Sequence, residues 1–229
     1  MDTNLSRCLA FTEKFEGRYQ ASRHDNGNWT GGNIGSGLLV GTMRGISAPI
    51  MQRWMDETGD DRQLTSAIMR TMPESIFSDI AKRFFWNPFG CAEMASGIDL
   101  MVFDFGFNTG ENGLRCCYLG QQPSGMLDAH LSSLTIAQIA PYLTGDQAVE
   151  FQDLLNVKTD GIIGPETQAA ASAAGMRDGM LIFALASRQR HYYRQLSSFR
   201  RFGRGWLART EARMNAALDL AYPGLRTAV

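Results

Sequence analysis

Thr3-Asn4-Leu5-Ser6-Arg7-Cys8-Leu9-Ala10-Phe11-Thr12-Glu13-Lys14-Phe15-Glu16-Gly17 opens the chain with apolar side chains at helical spacing. Leu5, Cys8, Leu9, Thr12 and Phe15 fall on one face, which predicts an amphipathic helix from about Thr3 to Phe15. Glycine is the usual residue just past a helix C-terminus. Gly17 therefore predicts the stop and leaves Glu16 on the last turn, an exposed and positioned carboxylate. Beyond it the helical pattern dissolves: Arg23 to Gly45 runs through Asp-Asn-Gly-Asn, Thr-Gly-Gly-Asn and Gly-Ser-Gly, a long stretch of turn formers. Ile34, Leu38, Leu39 and Val40 allow a small β-hairpin within the 25–45 loop.

The rest of the chain reads as mainly α. Ser47 caps a helix running to about Thr58 with Pro49 in its first turn, and Thr71 caps another from Pro73 to Trp86. Ser96 starts a third, with Ile98, Met101, Val102 and Phe105 inward, that closes at Asn108-Thr109-Gly110 before a further helix over Glu111 to Leu119. Gln121-Gln122-Pro123-Ser124-Gly125 is the clearest break, and it divides the chain into a helical domain over 1–125 and a second helical domain over 126–229. Helices are expected there at Thr135 to Tyr142, Thr144 to Leu155, Pro165 to Ala174, Asp178 to Ser197 and Gly203 to Ala221, the last of them able to pack back on the first domain.

Composition narrows the function classes. With 229 residues, 44% apolar and 20% charged, the chain is an ordinary globular protein that needs no staples to bury a core. A formal net charge of -1 argues against a general attraction to nucleic acid, and no nucleic-acid partner is expected. One local imbalance stands out: Arg188 to Arg213 holds eight arginines against the single acid Glu211, interleaved with Tyr192, Tyr193, Phe199, Phe202 and Trp206. That stretch reads either as a solvated amphipathic face or as a contact surface for an anionic glycan, phospholipid or nucleic acid. Cys8, Cys91, Cys116 and Cys117 lack metal-ligand spacing and read as buried thiols, while His24, His130 and His191 have no ligand partner, so no metal and no cofactor is expected. The N-terminus shows no basic segment leading into an apolar run, and the longest apolar run, Met180 to Ala186, is too short to span a membrane. Synthesis in the cytoplasm, a monomeric state, and delivery by a holin or another export route are the expectations.

Hydrolysis of a glycosidic bond needs a carboxylic acid to protonate the leaving oxygen and a second polar group on the other face to activate water or stabilise the oxocarbenium-like transition state. Glu16 on a helix end can be the acid. Asp25 and Thr30, nine and fourteen residues later in the polar loop, can be the carboxylate and hydroxyl that hold a water. Each also has a plainer reading, because Asp and Thr favour turns and caps for local hydrogen bonding. Trp29 is placed to stack on a sugar face, while Trp54, Trp86 and Trp206 read as core. Asn108, one turn beyond Asp104, is either a cleft residue or a helix terminator.

The order Glu, Asp, Thr resembles phage-type lysozymes. Phe15-Glu16-Gly17-Arg18-Tyr19 resembles the glutamate-glycine-glycine-tyrosine signature of glycoside hydrolase family 108, the muramidases of phage endolysins and of secretion-associated bacterial proteins. The likeness continues through Asp25 to Gly32, Gly41 to Ser47, Phe85-Trp86-Asn87-Pro88 and Asp104 to Gly110. It implies a lysozyme-like helical catalytic domain that cleaves between N-acetylmuramic acid and N-acetylglucosamine of peptidoglycan glycan strands. Glu16 is then the acid, Asp25 and Thr30 its partners, and Tyr19, Asn28, Trp29, Thr42 and Asn108 candidate substrate contacts. Arg18 departs from the pattern, standing where the family has its second glycine. A guanidinium held against Glu16 would favour the ionised carboxylate, so Arg18 is expected to point away or pair elsewhere.

In the second half, Asp160-Gly161-Ile162-Ile163-Gly164-Pro165-Glu166-Thr167 and Gly205-Trp206-Leu207-Ala208-Arg209 resemble the predicted peptidoglycan-binding domain that follows such enzymes. The resemblance implies Asp160, Gly161, Gly164 and Trp206 as wall-binding residues, although Asp160-Gly161 is also an ordinary tight turn. Two other readings stay open: a wall-binding or secretion-accessory protein with weak or lost cleavage, and a lytic transglycosylase.

Overall fold

The computed structural model describes residues 4–119, 143 and 145–224. Its architecture is mainly helical, as the periodicity predicts. The helices are α1 (Leu5–Glu13), α2 (Ala48–Thr58), α3 (Ser66–Arg70), α4 (Glu74–Ala81), α5 (Ile98–Leu119), α6 (Asp146–Leu154), α7 (Pro165–Ala173), α8 (Arg177–Gln195) and α9 (Phe199–Ala221). Two compact units result, one of Leu5–Pro88 and one that joins Asn4 to the described residues from Phe89 onward. The break expected at 121–125 and the helix expected at Thr135 to Tyr142 lie outside the described residues.

In the first unit, α1 buries Leu5, Cys8, Leu9 and Thr12 of the face read from the spacing, and Phe11 besides, whereas Phe15, read on that same face, lies past the end of the helix and is exposed. Ser47 precedes α2 with Pro49 in its first turn, as expected, though its side chain makes no capping bond. Thr71 is a correction. It closes the short α3 rather than opening α4, its hydroxyl donating back to the Ala67 carbonyl at 2.9 Å, and Pro73 stands at the start of α4. Helix α3 has only five residues, so its periodicity is too short to be read, and its signal is the cap of Thr65, whose hydroxyl accepts the Ile68 amide at 3.3 Å. After Ala81 the helix widens into a π turn over Lys82–Trp86, closed by the Asn87 amide on the Lys82 carbonyl at 2.9 Å. Trp86 is fully buried. Methionines 51, 55, 69 and 72 are buried in the core, flexible side chains suited to filling gaps between short helices.

The hairpin allowed for 25–45 resolves into isolated antiparallel pairings, Gln20 with Thr42, Trp29 with Leu39 and Met43 with Ile46. No continuous strand forms among the described residues of this loop. The reason is local. Gly32, Gly35, Gly37 and Gly41 all have positive φ, which interrupts the extended backbone that a ladder requires.

In the second unit α5, α8 and α9 pack on one another, and α6 and α7 pack on α8. Helix α5 is broken at Gly110 (φ 72°, ψ 175°), where the sequence reading ended one helix and began the next. That conformation belongs almost exclusively to glycine. Asp104 of α5 is fully buried and lies between two guanidinium groups of α9. Arg209 donates to it through Nε at 3.0 Å and Nη2 at 2.7 Å, and Arg213 through Nε at 2.6 Å. Arg213 also donates to the side-chain oxygen Oε1 of Gln189 in α8, and Gln189 in turn donates through Nε2 to the Met101 backbone carbonyl of α5 at 2.9 Å. This chain of bonds ties the three helices together at their common centre.

Two outcomes follow. Removing one partner of a buried, hydrogen-bonded ion pair leaves the other charge uncompensated, so Asp104→Ala should lower unfolding free energy by about 3–5 kcal/mol, read as a fall in the urea midpoint. Cys8, Cys91 and Cys117 are buried as expected, whereas Cys116, also read as buried, is exposed. Burial pushes the Cys91 thiol far up, with Asp99 adding to it, and burial likewise pushes up Cys117. Raised pKa values keep both as the unreactive thiol at neutral pH. Native protein should therefore label rapidly with a thiol reagent at Cys116, and Cys116→Ser should abolish that fast phase.

Candidate active site

Glu16 sits just past α1 with its amide bonded to the Thr12 carbonyl at 3.2 Å, alongside the Phe15 amide at 3.0 Å on the same oxygen. The helix ends at Glu13, so the carboxylate stands three residues beyond it, half-buried where the sequence reading expected an exposed group on the last turn. Gly17 differs from the sequence reading: its φ is not positive, and an added Cβ would meet nothing within 4 Å, so it is not a left-handed cap. At the helix end the Thr12 carbonyl takes two amides. Glu16 is half-buried, with Oε1 shielded from solvent. Arg18 is exposed, and among the described residues no ion pair joins it to Glu16. Glu13, one turn earlier, pairs with Arg44, which also holds Glu74 at the start of α4 and lies over the Phe77 ring at 3.9 Å.

The loop after α1 is knotted around Asn28, which is fully buried. Asn28 Nδ2 donates to Gln20 Oε1 at 2.8 Å and to the Ser22 carbonyl at 2.9 Å, while its Oδ1 accepts from Gln20 Nε2 at 3.0 Å and from the Thr42 hydroxyl at 2.7 Å. Its backbone carbonyl takes the Val40 and Gly41 amides. A short 3-10 turn, Asn26–Asn28, is capped by Asp25, whose Oδ1 accepts the Gly27 amide at 2.9 Å and whose Oδ2 accepts Gln20 Nε2 at 2.9 Å. Asp25 is exposed and each of its oxygens keeps a free lone pair. Thr30 is a separate rung, its hydroxyl accepting the Leu38 amide at 2.9 Å.

Tyr19 clamps the far side of the same knot. Its hydroxyl donates to the Val40 carbonyl at 3.0 Å, Arg70 stacks on its ring at 3.9 Å, and the ring occupies the space where a side chain on Gly41 would stand, 2.6 Å from an ideal Cβ. The Trp29 indole N–H donates to the Arg23 carbonyl at 3.3 Å and the ring is half-buried. So Tyr19, Asp25, Asn28 and Thr42 come together in one network. Gln20 joins them, a residue that sequence reasoning missed because a glutamine beside a tyrosine carries no signature.

The remaining candidates lie in the other unit. Asn108 donates to the Tyr193 hydroxyl at 2.8 Å and accepts from Arg209 at 3.5 Å. Asp160 is held by Gln152 Nε2 at 2.8 Å and by the Ile162 amide at 3.0 Å, bonds that pull its carboxyl below the usual range, and Lys158 lies 3.3 Å away. Gly161, with φ 75°, gives its amide to Gln152 Oε1 at 2.8 Å. Gly164 precedes α7, and Trp206 stacks on buried Tyr193 with centroids 5.0 Å apart. Gln152, buried in α6 and central to the turn, had no sequence signal either. Among the described residues no three of His, Cys, Asp and Glu gather as a metal site.

Asn28→Ala would strip four side-chain hydrogen bonds from the loop. At about 1 kcal/mol each, partly recovered by water, the expected loss is about 2–3 kcal/mol. Hydrogen-exchange protection should fall across residues 20–42 and persist in α8 and α9.

Residues 9–110 match the family model Glycosyl hydrolase 108, and residues 147–211 match Predicted Peptidoglycan domain. The solved structure of Brucella abortus SagA is similar at 18% identity with a TM-score of 0.54, over 97% of this chain and 98% of that one, a likeness of fold. No curated protein gives a significant match. The segment that carries Glu16, Asp25 and Thr30 matches the glycosyl hydrolase 108 model and is followed by a segment that matches a peptidoglycan domain, a combination that supports a glycoside hydrolase acting on peptidoglycan.

Proposed function

We propose that the enzyme hydrolyses the β-1,4 bond between N-acetylmuramic acid and N-acetylglucosamine, with Glu16 as general acid and Asp25 as the group that positions and activates water. The observation that carries this is the setting of Glu16. Its backbone is fixed by Thr12 and one carboxylate oxygen is shielded from solvent, within a segment matched to a glycosyl hydrolase family. A general acid must be held still, and must be partly withdrawn from water, to deliver a proton to a leaving oxygen. Asp25 suits the second role because Gln20 and the Gly27 amide fix its orientation while leaving acceptor capacity. Thr30 supports the loop through Leu38 and stands as the third member of the set.

Among the described residues no helix is long and apolar enough to cross a membrane. We read the biological role as endolysin-like lysis, the enzyme being made in the cytoplasm and released to the wall in the periplasm by a holin or an equivalent export route.

Glu16→Gln preserves shape and removes the titrating proton, so release of reducing ends from purified sacculi should fall about a thousandfold with the melting temperature unchanged. Retained activity overturns the assignment. Asp25→Asn separates the two roles of that residue, because asparagine caps a turn as well as aspartate does. Loss of activity in Asp25→Asn with an intact fold supports the base; full activity reduces Asp25 to a cap. Mass spectrometry of the products should show reducing muramic ends, whereas anhydro-muramic ends would make the enzyme a lytic transglycosylase.

A further inference from the structure

The peptidoglycan segment raises a question that its signature residues do not answer: which groups meet the wall. Asp160 and Gly161 are tied to Gln152, Ile162 and Lys158 in the turn before α7, and Trp206 is half-buried on Tyr193. Apart from half-buried Arg188, the arginine-rich stretch splits in two. Arg190, Arg209 and Arg213 are buried in ion pairs with Glu211 and Asp104. Arg194 at the end of α8 and Arg200, Arg201 and Arg204 at the start of α9 are exposed, and none is held in an ion pair among the described residues.

We propose that this exposed corner of α8 and α9 is the wall-recognition surface, and that it takes the carboxylate-bearing stem peptides of peptidoglycan. The inference rests on the reading of the chain as a peptidoglycan enzyme. No acidic residue occurs from Gly179 to Thr210, so the corner has no counter-charge in its own sequence. Stem peptides supply several carboxylates per repeat, and a guanidinium fork matches a carboxylate in two parallel hydrogen bonds. Phe202 is 46% exposed among these arginines, with its ring 5.7 Å from Trp206 and the Arg201 guanidinium 4.9 Å from it. An aromatic face beside cations is the pairing that an amino sugar carrying an acidic peptide calls for.

Two features of α9 work against its own stability and have no packing reason. Cations in the first turns oppose the helix dipole, and α9 has no acid there to offset them. Gly205 is helical and exposed with open space where a Cβ would stand, a position at which alanine makes a better helix. Gly203, in contrast, is needed, because the Phe199 ring lies 2.5 Å from its ideal Cβ. Local rules broken without a structural return gather at functional surfaces. The open floor at Gly205 lets a polymer approach between Arg201 and Arg204.

The test is co-sedimentation of the full-length chain with insoluble sacculi at low temperature, across a salt series. Arg200→Gln/Arg201→Gln/Arg204→Gln should weaken binding about tenfold, about 1.4 kcal/mol, while its melting temperature holds or rises. Sacculi whose carboxylates have been amidated should bind wild type as weakly as native sacculi bind the triple variant, with no further loss when the two changes are combined. Wild-type affinity in the folded triple variant, or unchanged binding to amidated sacculi, overturns the proposal. So does retention on phosphatidylglycerol vesicles without retention on sacculi, which would assign the corner to lipid. Binding is read by pelleting and cleavage by released reducing ends. A triple variant that pellets normally defeats this inference alone, whereas a chain that pellets and never cleaves defeats the proposed reaction alone.

Discussion

A carboxylate with no exposure to water must be neutralised where it lies, and Asp104 meets that constraint with two arginines from a single helix. Isolated, the charge would be intolerable in a medium of low dielectric. Paired with Arg209 and Arg213 it dictates the rotation of α9 against α5, since both guanidinium groups must point inward at one level. Gln189 adds α8 to the same arrangement by taking a bond from Arg213 and giving one to α5. The apolar burial around it, from Met101, Val102, Phe105, Ile182 and Phe183 among others, supplies most of the cohesion. The ion pair supplies the register, because hydrophobic faces alone would tolerate a small sliding of one helix past another.

The loop that carries Asp25 solves a different problem. It has too many glycines to form a sheet and too few apolar residues to collapse, so its shape depends on side-chain hydrogen bonds around a buried amide. Asn28 suits this because one amide supplies two donors and an acceptor that can take two bonds. A network of this kind fixes Asp25 and Thr30 without packing them away, which leaves a polar surface of defined shape beyond the end of α1. The expense is fragility, since few apolar contacts underlie it.

Much of this was legible in the residues. The helical face of Leu5, Cys8, Leu9 and Thr12, the start of α2 at Ser47 and the break at Gly110 each follow from local chemistry, and local chemistry decided them. Thr71 was misread because a threonine can serve either end of a helix, and the choice depends on the preceding five-residue helix, which is too short to show a period. Gly17 was misread for a related reason: glycine marks helix ends by habit, but here the chain leaves the helix without a left-handed residue, its last turn closing on the Thr12 carbonyl. Glu16 was visible as a residue, whereas the hubs Gln20, Gln152 and Gln189 were not. Amides acquire their importance from partners that tertiary folding brings to them, and a lone glutamine advertises nothing.

The pairing of Asp104 with Arg209 and Arg213 also bears on how such a protein can be inherited. Asp104 lies in the segment matched to the glycosyl hydrolase and Arg209 in the segment matched to the peptidoglycan domain, yet both are inside one compact unit. The two segments are therefore not beads on a string that recombination could shuffle freely. An exchange of the downstream segment with one lacking arginines at those depths would strand a buried anion, so a graft would have to carry α5 along with α8 and α9.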